Sequence, residues 1–309
     1  MSLKKLKCLS YMNNQQPTWL DKTAYSFTSH FLKVSQGELH YVDEGKGEPI
    51  LFVHGTPTWS FLWRNQIKEF STQYRCIAFD HLGFGLSTKP SDFSYSLDAH
   101  QQNLALLVEH LQLDNVTLVM HDFGGPIGLG WALQNPDKVA RLVIMNTWMW
   151  PLTHVKSMMQ GSKFFGSSVG KFLYTTLNFS PRFLLPLAFF HKEKLTKEIH
   201  QHYLLPFADK KERLGPWNFA KALAGETTYF EELLKLKQSL TEKPTLILWG
   251  TKDKLIPASF LEIWKQTLPT AHVIEMETGH FQQEENPEIV TRVIKEFFQD
   301  TMKTQEPVL

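Results

Sequence analysis

Residues Val116 to Gly128 read VTLVMHDFGGPIG, and this stretch decides the fold. A continuous apolar run stops at a His-Asp pair, and two glycines then lead into a helical pattern. A continuous apolar run indicates a strand that is buried on both faces, as in parallel sheets covered by helices. Asp122 therefore lies at the end of a predicted parallel strand, where this architecture collects its ligands.

Six further segments have the composition of buried strands: ELHYVDEG, PILFVHG, RCIAFDHLG, RLVIMNT, TLILWG and HVIEME. Four segments between them carry the i, i+3, i+4 spacing of packed helices: SFLWRNQIKEFS, LDAHQQNLALLVEHLQL, GPIGLGWALQNP and NPEIVTRVIKEFFQDT. This alternation predicts an α/β fold with a mostly parallel sheet and helices on both faces.

The alternation stops between residues 148 and 240, where aromatic-rich segments have helical spacing and no strand pattern. We predict that 148–240 is a helical cap inserted into a core formed by residues 1–147 and 241–309. A separate helical domain is the alternative. The cap is favoured because the chain returns to the sheet at Thr245.

With 32 basic and 31 acidic side chains, the formal net charge is +1, without the basic excess that is typical of proteins binding nucleic acid or anionic membranes. We therefore predict neither partner. Cys8 and Cys76 are too few for a disulfide framework or a thiolate metal site. The apolar stretch of the N-terminus ends at Asn13, too early for a signal peptide. We expect a cytoplasmic monomer or small homo-oligomer, without a cofactor or metal, that binds a small apolar substrate.

Four positions directly after predicted strands carry reactive or loop-forming groups. They are the segment 54–57 (HGTP), Asp122, Asp253 and His280. The turn HDFGG has the order strand, nucleophile, x, Gly, helix, with Asp122 in the position of the nucleophile. The order nucleophile, acid, histidine along the chain matches this arrangement. Asp122 as a helix N-cap is the structural alternative, worth about 1 kcal/mol.

A carboxylate at the nucleophile position selects the chemistry. A serine that displaces a leaving group from an sp³ carbon becomes an ether, which water does not readily cleave. An aspartate becomes an alkyl ester, whose carbonyl is hydrolysed by water that a general base activates. Asp122 therefore predicts displacement at an alkyl carbon, with His280 as the base and Asp253 orienting its ring.

The hydrolysis of such an ester passes through an oxyanion on Asp122 itself. The backbone N–H groups of Thr56 and Phe123 are predicted to bind it, and losing one such donor typically costs about 2.7 to 4 kcal/mol. Asp80 also follows a strand, but its glycine-rich surroundings indicate a turn that the side chain braces. Asn146, after the RLVIM strand, has no carboxylate, so Asp253 is the predicted acid.

At these residues the chain resembles the haloalkane dehalogenase group of α/β-hydrolases. The blocks HGTPTWSFLWR, DHLGFGLSTKP, VMHDFGGPIGLGWA, LILWGTKDKLIP and ETGHFQQEENP are similar in content and order, over about residues 38 to 300. The resemblance implies an α/β-hydrolase fold with a mostly parallel eight-stranded sheet and an inserted helical cap. It also implies a catalytic triad of Asp122, Asp253 and His280 below an apolar pocket.

Two residues depart from the family pattern. Its members usually carry Trp after the nucleophile, whose indole N–H binds the departing halide, and this chain has Phe123. A second donor, often Asn after His-Gly, is here Thr56. Each charge-assisted hydrogen bond is worth about 1.5 to 3 kcal/mol, so other donors are needed. The candidate replacements are the indoles of four tryptophans: Trp59, Trp148, Trp150 and Trp217.

Three other functions stay open on the same framework. Epoxide hydrolases are similar, and they use cap tyrosines, for which Tyr174, Tyr203 and Tyr229 are candidates. β-Lactone decarboxylases are similar too, and Arg64 is then the candidate for binding a substrate carboxylate. A small-ligand binding protein without catalysis is the third alternative, and Phe123 is its best support.

Overall fold

The computed structural model describes residues 16–303, with side chains up to residue 301. One sheet of eight strands forms its centre, in the spatial order β1-β2-β4-β3-β5-β6-β7-β8. The strands are β1 (His30–Val34), β2 (Gly37–Glu44), β3 (Pro49–Val53), β4 (Arg75–Phe79), β5 (Val116–His121), β6 (Val139–Met145), β7 (Thr245–Gly250) and β8 (His272–Met276). The predicted α/β class with an eight-stranded sheet is confirmed.

Strand directions also follow the prediction. β4, β3, β5, β6, β7 and β8 pair in parallel, and only β1 and β2 pair antiparallel to their neighbours. β5 is buried at every residue, in accord with its continuous apolar sequence. The sequence pattern did not identify β1, because this short edge strand, HFLKV, is only partly buried and lacks a continuous apolar run.

Twelve α-helices are described, and the four predicted from sequence are among them. They are α1 (Arg64–Phe70), α2 (Leu97–His110), α3 (Gly124–Gln134), α4 (Lys156–Gly166), α5 (Ser168–Leu177), α6 (Leu185–Ala188), α7 (Lys197–Leu204), α8 (Leu214–Gly225), α9 (Thr227–Leu236), α10 (Ser259–Thr267), α11 (Gln282–Glu285) and α12 (Pro287–Lys303). The first half of the predicted SFLWRNQIKEFS helix is a 3₁₀ turn, Ser60–Trp63.

The segment between β6 and β7 contains helices α4 to α9 and short helical turns, with no strand among its described residues. This agrees with the helical pattern of the sequence, while the division at residues 148 and 240 stays a prediction. Within residues 16–303, no helix is both long and apolar enough to cross a membrane. Cys76 is buried in β4, where burial raises the pKa of its thiol; Cys8 and Asn13 lie outside the described residues.

The turn from β5 into α3 brings three backbone segments into close contact. Asp122 has a φ of +53°, a left-handed conformation that is uncommon for a residue with a side chain. A Cβ on Gly124 would lie 2.1 Å from the carbonyl oxygen of Val53, at the end of β3. A Cβ on Gly55 would lie 2.1 Å from Oδ1 of Asp122. Both glycines are therefore needed to seat the Asp122 turn against the end of β3.

We expect Gly124→Ala to destabilise the protein by about 1 to 3 kcal/mol, because the added methyl meets backbone and forces a shift. Gly225→Ala is the matched control, since a Cβ there meets nothing within 4 Å among the described residues. It should be neutral or stabilising by up to about 1 kcal/mol, since Ala favours helix. Urea denaturation measures both, and equal stabilities would contradict the close approach at Gly124.

Candidate active site

Asp122 stands at the end of β5, with its carboxylate at the wall of a cavity. The backbone N–H of Thr56 donates to its Oδ1 at 2.8 Å. The hydroxyl of Thr147, after β6, donates to the backbone carbonyl of Asp122 at 2.5 Å. Two neighbouring strand ends thus hold the residue in its left-handed conformation. The Thr56 N–H therefore contacts the carboxylate, and the oxyanion roles of Thr56 and Phe123 both stay predictions.

His280 lies between two carboxylates. Its Nε2 is 3.4 Å from Oδ2 of Asp122, and its Nδ1 donates to Oδ2 of Asp253 at 2.7 Å. The histidine side chain is fully buried, and both carboxylates are nearly so. The structure therefore brings together the three residues that were far apart in the sequence. One imidazole nitrogen faces the carboxylate of Asp122, and the other is fixed by Asp253.

Asp253 is held by the loop that follows β7. Its Oδ1 accepts from the backbone N–H groups of Leu255 at 2.7 Å and Ile256 at 3.1 Å. Its Oδ2 accepts from Nδ2 of Asn146 at 2.7 Å as well as from His280. Burial works against the charge of this group, but His280 and these N–H donors keep the pKa of Asp253 below its usual value. The acid is therefore ionised and cannot rotate freely.

The charge state of His280 follows from the same contacts. Burial alone lowers the pKa of its imidazole, but the charge of Asp253 and the contacts of the two ring nitrogens with both carboxylates outweigh burial. Together they raise the pKa of His280 to about 10. Imidazolium is accordingly the stable form while Asp122 and Asp253 are both ionised.

Three further polar residues position the site, and sequence analysis had assigned them no such role. Asn146 bonds Asp253 and also accepts the backbone N–H of Gly250 at 2.7 Å. The side-chain amide of Gln282 contacts Oδ1 of Asn146. His121 donates from Nε2 to the backbone carbonyl of His280 at 2.8 Å, and burial lowers its pKa to about 3. The signal in the sequence that could have identified these three residues was their position next to the ends of predicted strands.

Asp80 has the structural role that its glycine-rich surroundings indicated. Its fully buried carboxylate accepts from the backbone N–H groups of Ser60 and Leu86, each at 2.7 Å. Its Oδ2 also pairs with Nδ1 of His40 at 2.9 Å. These contacts fix the turn after β4 and leave Asp253 as the acid that meets His280.

An apolar cavity of about 300 Å³ is lined by Asp122. Its walls combine strand-end residues of the core with side chains of α4 and α5, among them Phe165 and Tyr174. Thr56 and Trp148 also line it, and Thr56 Oγ1 and Trp148 Nε1 are buried with no hydrogen-bond partner among the described residues. The volume is at the lower end of the range for small-molecule sites.

Of the four tryptophans offered as leaving-group donors, only Trp148 lines the cavity. The indole N–H of Trp59 donates to the backbone carbonyl of His202 at 2.9 Å. That of Trp217 donates to the carbonyl of Phe165 at 2.9 Å. Trp150 packs against Phe260 and Trp264, with ring centroids 5.2 and 5.1 Å away. The structure therefore does not bring these three to the cavity: two indoles bond backbone carbonyls, and the ring of Trp150 packs in the core.

The hydrogen-bond partners of the candidate tyrosines and of Arg64 decide which of them could contact a substrate. Tyr203 bonds Glu284, and Tyr229 donates to Gln101 at 2.7 Å, so neither hydroxyl is free. Arg64 forms a buried two-point ion pair with the same Glu284 and does not line the cavity. It is thus not available to a substrate carboxylate. Of these three tyrosines, Tyr174 lines the cavity.

A family model described as alpha/beta hydrolase fold matches residues 48–287. The chain belongs to this family. The α/β-hydrolase is 34% identical to haloalkane dehalogenase 2 of Mycobacterium tuberculosis over 90% of its own length and 97% of the relative's. It is 33% identical to a cis-3-alkyl-4-alkyloxetan-2-one decarboxylase of Shewanella oneidensis over 90% of this chain and 91% of the other.

A crystal structure of the haloalkane dehalogenase DbeA from Bradyrhizobium elkani superposes on the α/β-hydrolase with a TM-score of 0.82. It is 25% identical, and the match covers 90% of this chain and all of the other. These similarities confirm the resemblance identified in the sequence: the chain is an enzyme, a haloalkane dehalogenase-like hydrolase. The buried pair of Asp122 and His280 is the candidate site for its chemistry.

The raised pKa of His280 predicts a pH dependence of stability. A pKa raised to about 10 in the folded state stabilises the protein fully below the reference value of 6.5, and this contribution is lost as pH rises through 10. The midpoints of thermal unfolding of the native protein and of His280→Gln should therefore converge as the pH rises from 6.5 to 10. His272→Gln, in β8, is the control. A difference between native and His280→Gln proteins that stays constant with pH would contradict the ion-pair assignment.

Proposed function

We propose that this α/β-hydrolase displaces a halide from an alkyl carbon, with Asp122 as the nucleophile and an alkyl-enzyme ester as the intermediate. One observation supports this most directly. A carboxylate occupies the strained turn, accepts the Thr56 N–H at 2.8 Å, faces His280 at 3.4 Å and opens into an apolar cavity. The inserted helical segment acts as the cap that encloses the substrate.

In the first step an oxygen of Asp122 attacks the halogen-bearing carbon. A C–O bond forms as the carbon–halogen bond breaks, and the electron pair of that bond leaves with the halide. The carboxylate loses its negative charge and becomes a neutral ester. Apolar walls favour this step, because the attacking carboxylate is poorly solvated and the substrate is bound next to it.

Ester formation also prepares the base for the second step. The charge of Asp122 and its contact with Nε2 both raise the pKa of His280, and alkylation removes this charge. The pKa of the imidazolium then falls, so His280 releases its proton, and the neutral imidazole can accept a proton from water. Asp253 continues to hold Nδ1 and stabilises the imidazolium that forms.

The resulting hydroxide adds to the carbonyl carbon of the ester. The tetrahedral oxyanion is stabilised by the Thr56 N–H and, as proposed from sequence, by the Phe123 N–H. Its collapse breaks the bond between the carbonyl carbon and the alkoxy oxygen, and the alkoxide takes the proton of the imidazolium and leaves as the alcohol. Asp122 is restored as a carboxylate when it loses the hydroxyl proton. The net products are an alcohol, a halide and a proton.

The departing halide needs hydrogen-bond donors that Phe123 does not provide. We assign this role to the Trp148 indole N–H and the Thr56 hydroxyl, which line the cavity and have no protein acceptor in the described part of the chain. A buried donor without a partner is unfavourable, so both groups favour binding an anion or another acceptor. Thr56 thus serves through its side chain as well as its backbone.

A second candidate function is the opening of a small oxygen-containing ring, either an epoxide or a β-lactone. The observation that favours it is the Tyr174 hydroxyl, which belongs to a cavity-lining residue. Burial, and then the charge of Asp122, raise the pKa of this phenol, so it keeps its proton at neutral pH and can donate it to a departing oxygen. The decarboxylase relative from Shewanella oneidensis is named for a substrate with such a ring.

The His280→Gln variant should trap the alkyl-enzyme ester, because the nucleophile remains and the base is lost. We would offer it a brominated alkane, a terminal epoxide and a β-lactone separately. Intact mass and peptide mapping should show the added group on the peptide that contains Asp122, with the brominated alkane the expected substrate. The double variant Asp122→Asn with His280→Gln is the control. No adduct from any class, with folded protein, would favour the non-catalytic binding alternative.

Substitutions at the cavity wall should separate the two kinds of leaving group. Trp148→Phe should lower kcat/KM for the brominated alkane by about 10- to 100-fold, the loss expected for one charge-assisted hydrogen bond. Trp150→Phe, in the core, is the matched control and should change it little. Tyr174→Phe should affect only ring opening. An unchanged rate in Trp148→Phe together with a loss in Tyr174→Phe would contradict the halide assignment.

A further inference from the structure

The helical segment between β6 and β7, here the cap segment, carries most of the large apolar side chains that are exposed in the described residues. Nine large hydrophobic residues are exposed in the described part of the chain, and seven of them lie between residues 164 and 190. We call these seven the cap apolar patch: Phe164, Val169, Phe172, Leu177, Phe183, Leu187 and Phe190. Exposed hydrophobics that are grouped rather than scattered indicate an interaction surface.

The patch is continuous with the wall of the cavity. Phe165 lines the cavity and contacts exposed Phe164, with ring centroids 5.3 Å apart. On its other side Phe165 contacts Phe179 at 5.7 Å, and Phe179 contacts exposed Phe183 at 5.5 Å. Leu187 lies one helical turn after Phe183. A row of aromatic rings therefore leads from the interior of the site to the surface.

The same segment is strongly basic, although the net charge of the whole chain is only +1. Residues 156–197 contain seven Lys and Arg and a single acidic residue, Glu193, which leaves 25 basic and 30 acidic side chains elsewhere. All seven are exposed: Lys156, Lys163, Lys171, Arg182, Lys192, Lys194 and Lys197. None of them lies within 4.0 Å of a carboxylate of the residues described.

We propose that the cap apolar patch docks on the surface of an anionic phospholipid bilayer. Exposed Phe and Leu side chains interspersed along the chain with exposed Lys and Arg are the composition of an interfacial membrane-binding surface. The apolar groups enter the boundary of the acyl chains, while the ammonium and guanidinium groups meet the lipid phosphates. The prediction that the protein does not bind membranes rested on the net charge of the whole chain. In that net charge, the basic cap segment and the acidic remainder cancel, so the proposal revises the prediction.

Charge also argues against the other occupants of the patch. A second copy of the chain, docked through the same face, would place two groups of seven cations against each other. The N-terminal residues 1–15 carry three lysines and no acidic residue, so they do not complement the patch. A bilayer offers both the apolar phase and the negative charge. It also concentrates small apolar molecules beside the ring row that leads to the cavity.

Vesicle co-sedimentation of the full chain tests this proposal. Vesicles of phosphatidylcholine alone should bind weakly, and vesicles with about a third of phosphatidylglycerol should bind at least about tenfold more tightly, with binding weakened by salt. The double variant Phe172→Ser with Phe183→Ser should lose most of this binding. Lys163→Gln with Arg182→Gln should lose the preference for anionic lipid.

Matched controls are available on the core. Leu106, in α2, is 46% exposed, and Leu106→Ser should leave vesicle binding unchanged. Lys295→Gln, in α12, is the control for charge. Thermal unfolding and turnover of a water-soluble substrate verify that each variant is folded, and they separate a failure of docking from a failure of the proposed reaction.

Two outcomes would overturn the proposal. The first is vesicle binding that is absent, or that the Phe172 and Phe183 substitutions do not reduce. The second is a dimer in light scattering that these substitutions dissociate, since a second copy of the chain would then cover the patch.

Discussion

The left-handed turn at Asp122 is the constraint on which the rest of the site depends. It is maintained from two sides, by the Thr56 N–H on the carboxylate and by the Thr147 hydroxyl on the backbone carbonyl. The turn also requires that Gly124 pack against the end of β3 without a side chain. Strain at one residue is thus balanced by contacts from neighbouring strand ends, and it exposes the carboxylate to the cavity.

The loop that carries His280 is joined to both the core and the cap segment. The His280 backbone N–H donates to the carbonyl of Ala188 at 2.9 Å. The buried carboxylate of Glu285 accepts from the backbone N–H groups of Phe190 at 3.2 Å and His191 at 3.0 Å, and from Gly279. The helical segment therefore helps position the proposed base as well as covering the substrate cavity. The exposed apolar residues and the backbone contacts to the His280 loop belong to the same short stretch of chain.

The replacement of the usual tryptophan by Phe123 changes which neighbours matter. The Phe123 ring lies 5.0 Å from Trp148 and 4.6 Å from Phe219, so it packs between the core and the cap. Trp148 was one of four tryptophans that the sequence offered without preference. Carbonyls accept the indole N–H groups of Trp59 and Trp217, and Trp150 packs in the core, whereas Trp148 lines the cavity.

The sequence by itself determined the fold class, because its apolar runs locate the strands. It also identified Asp122, Asp253 and His280 as candidates, because each follows a strand and parallel strands end at one edge of the sheet. It did not find β1, whose short, partly exposed pattern lacks a periodic signal. Nor did it find the roles of Asn146 and His121, which depend on distances between strands. Only the tertiary structure decided which indole and which tyrosine reach the cavity, because the direction of a side chain and its partners are set by packing across elements.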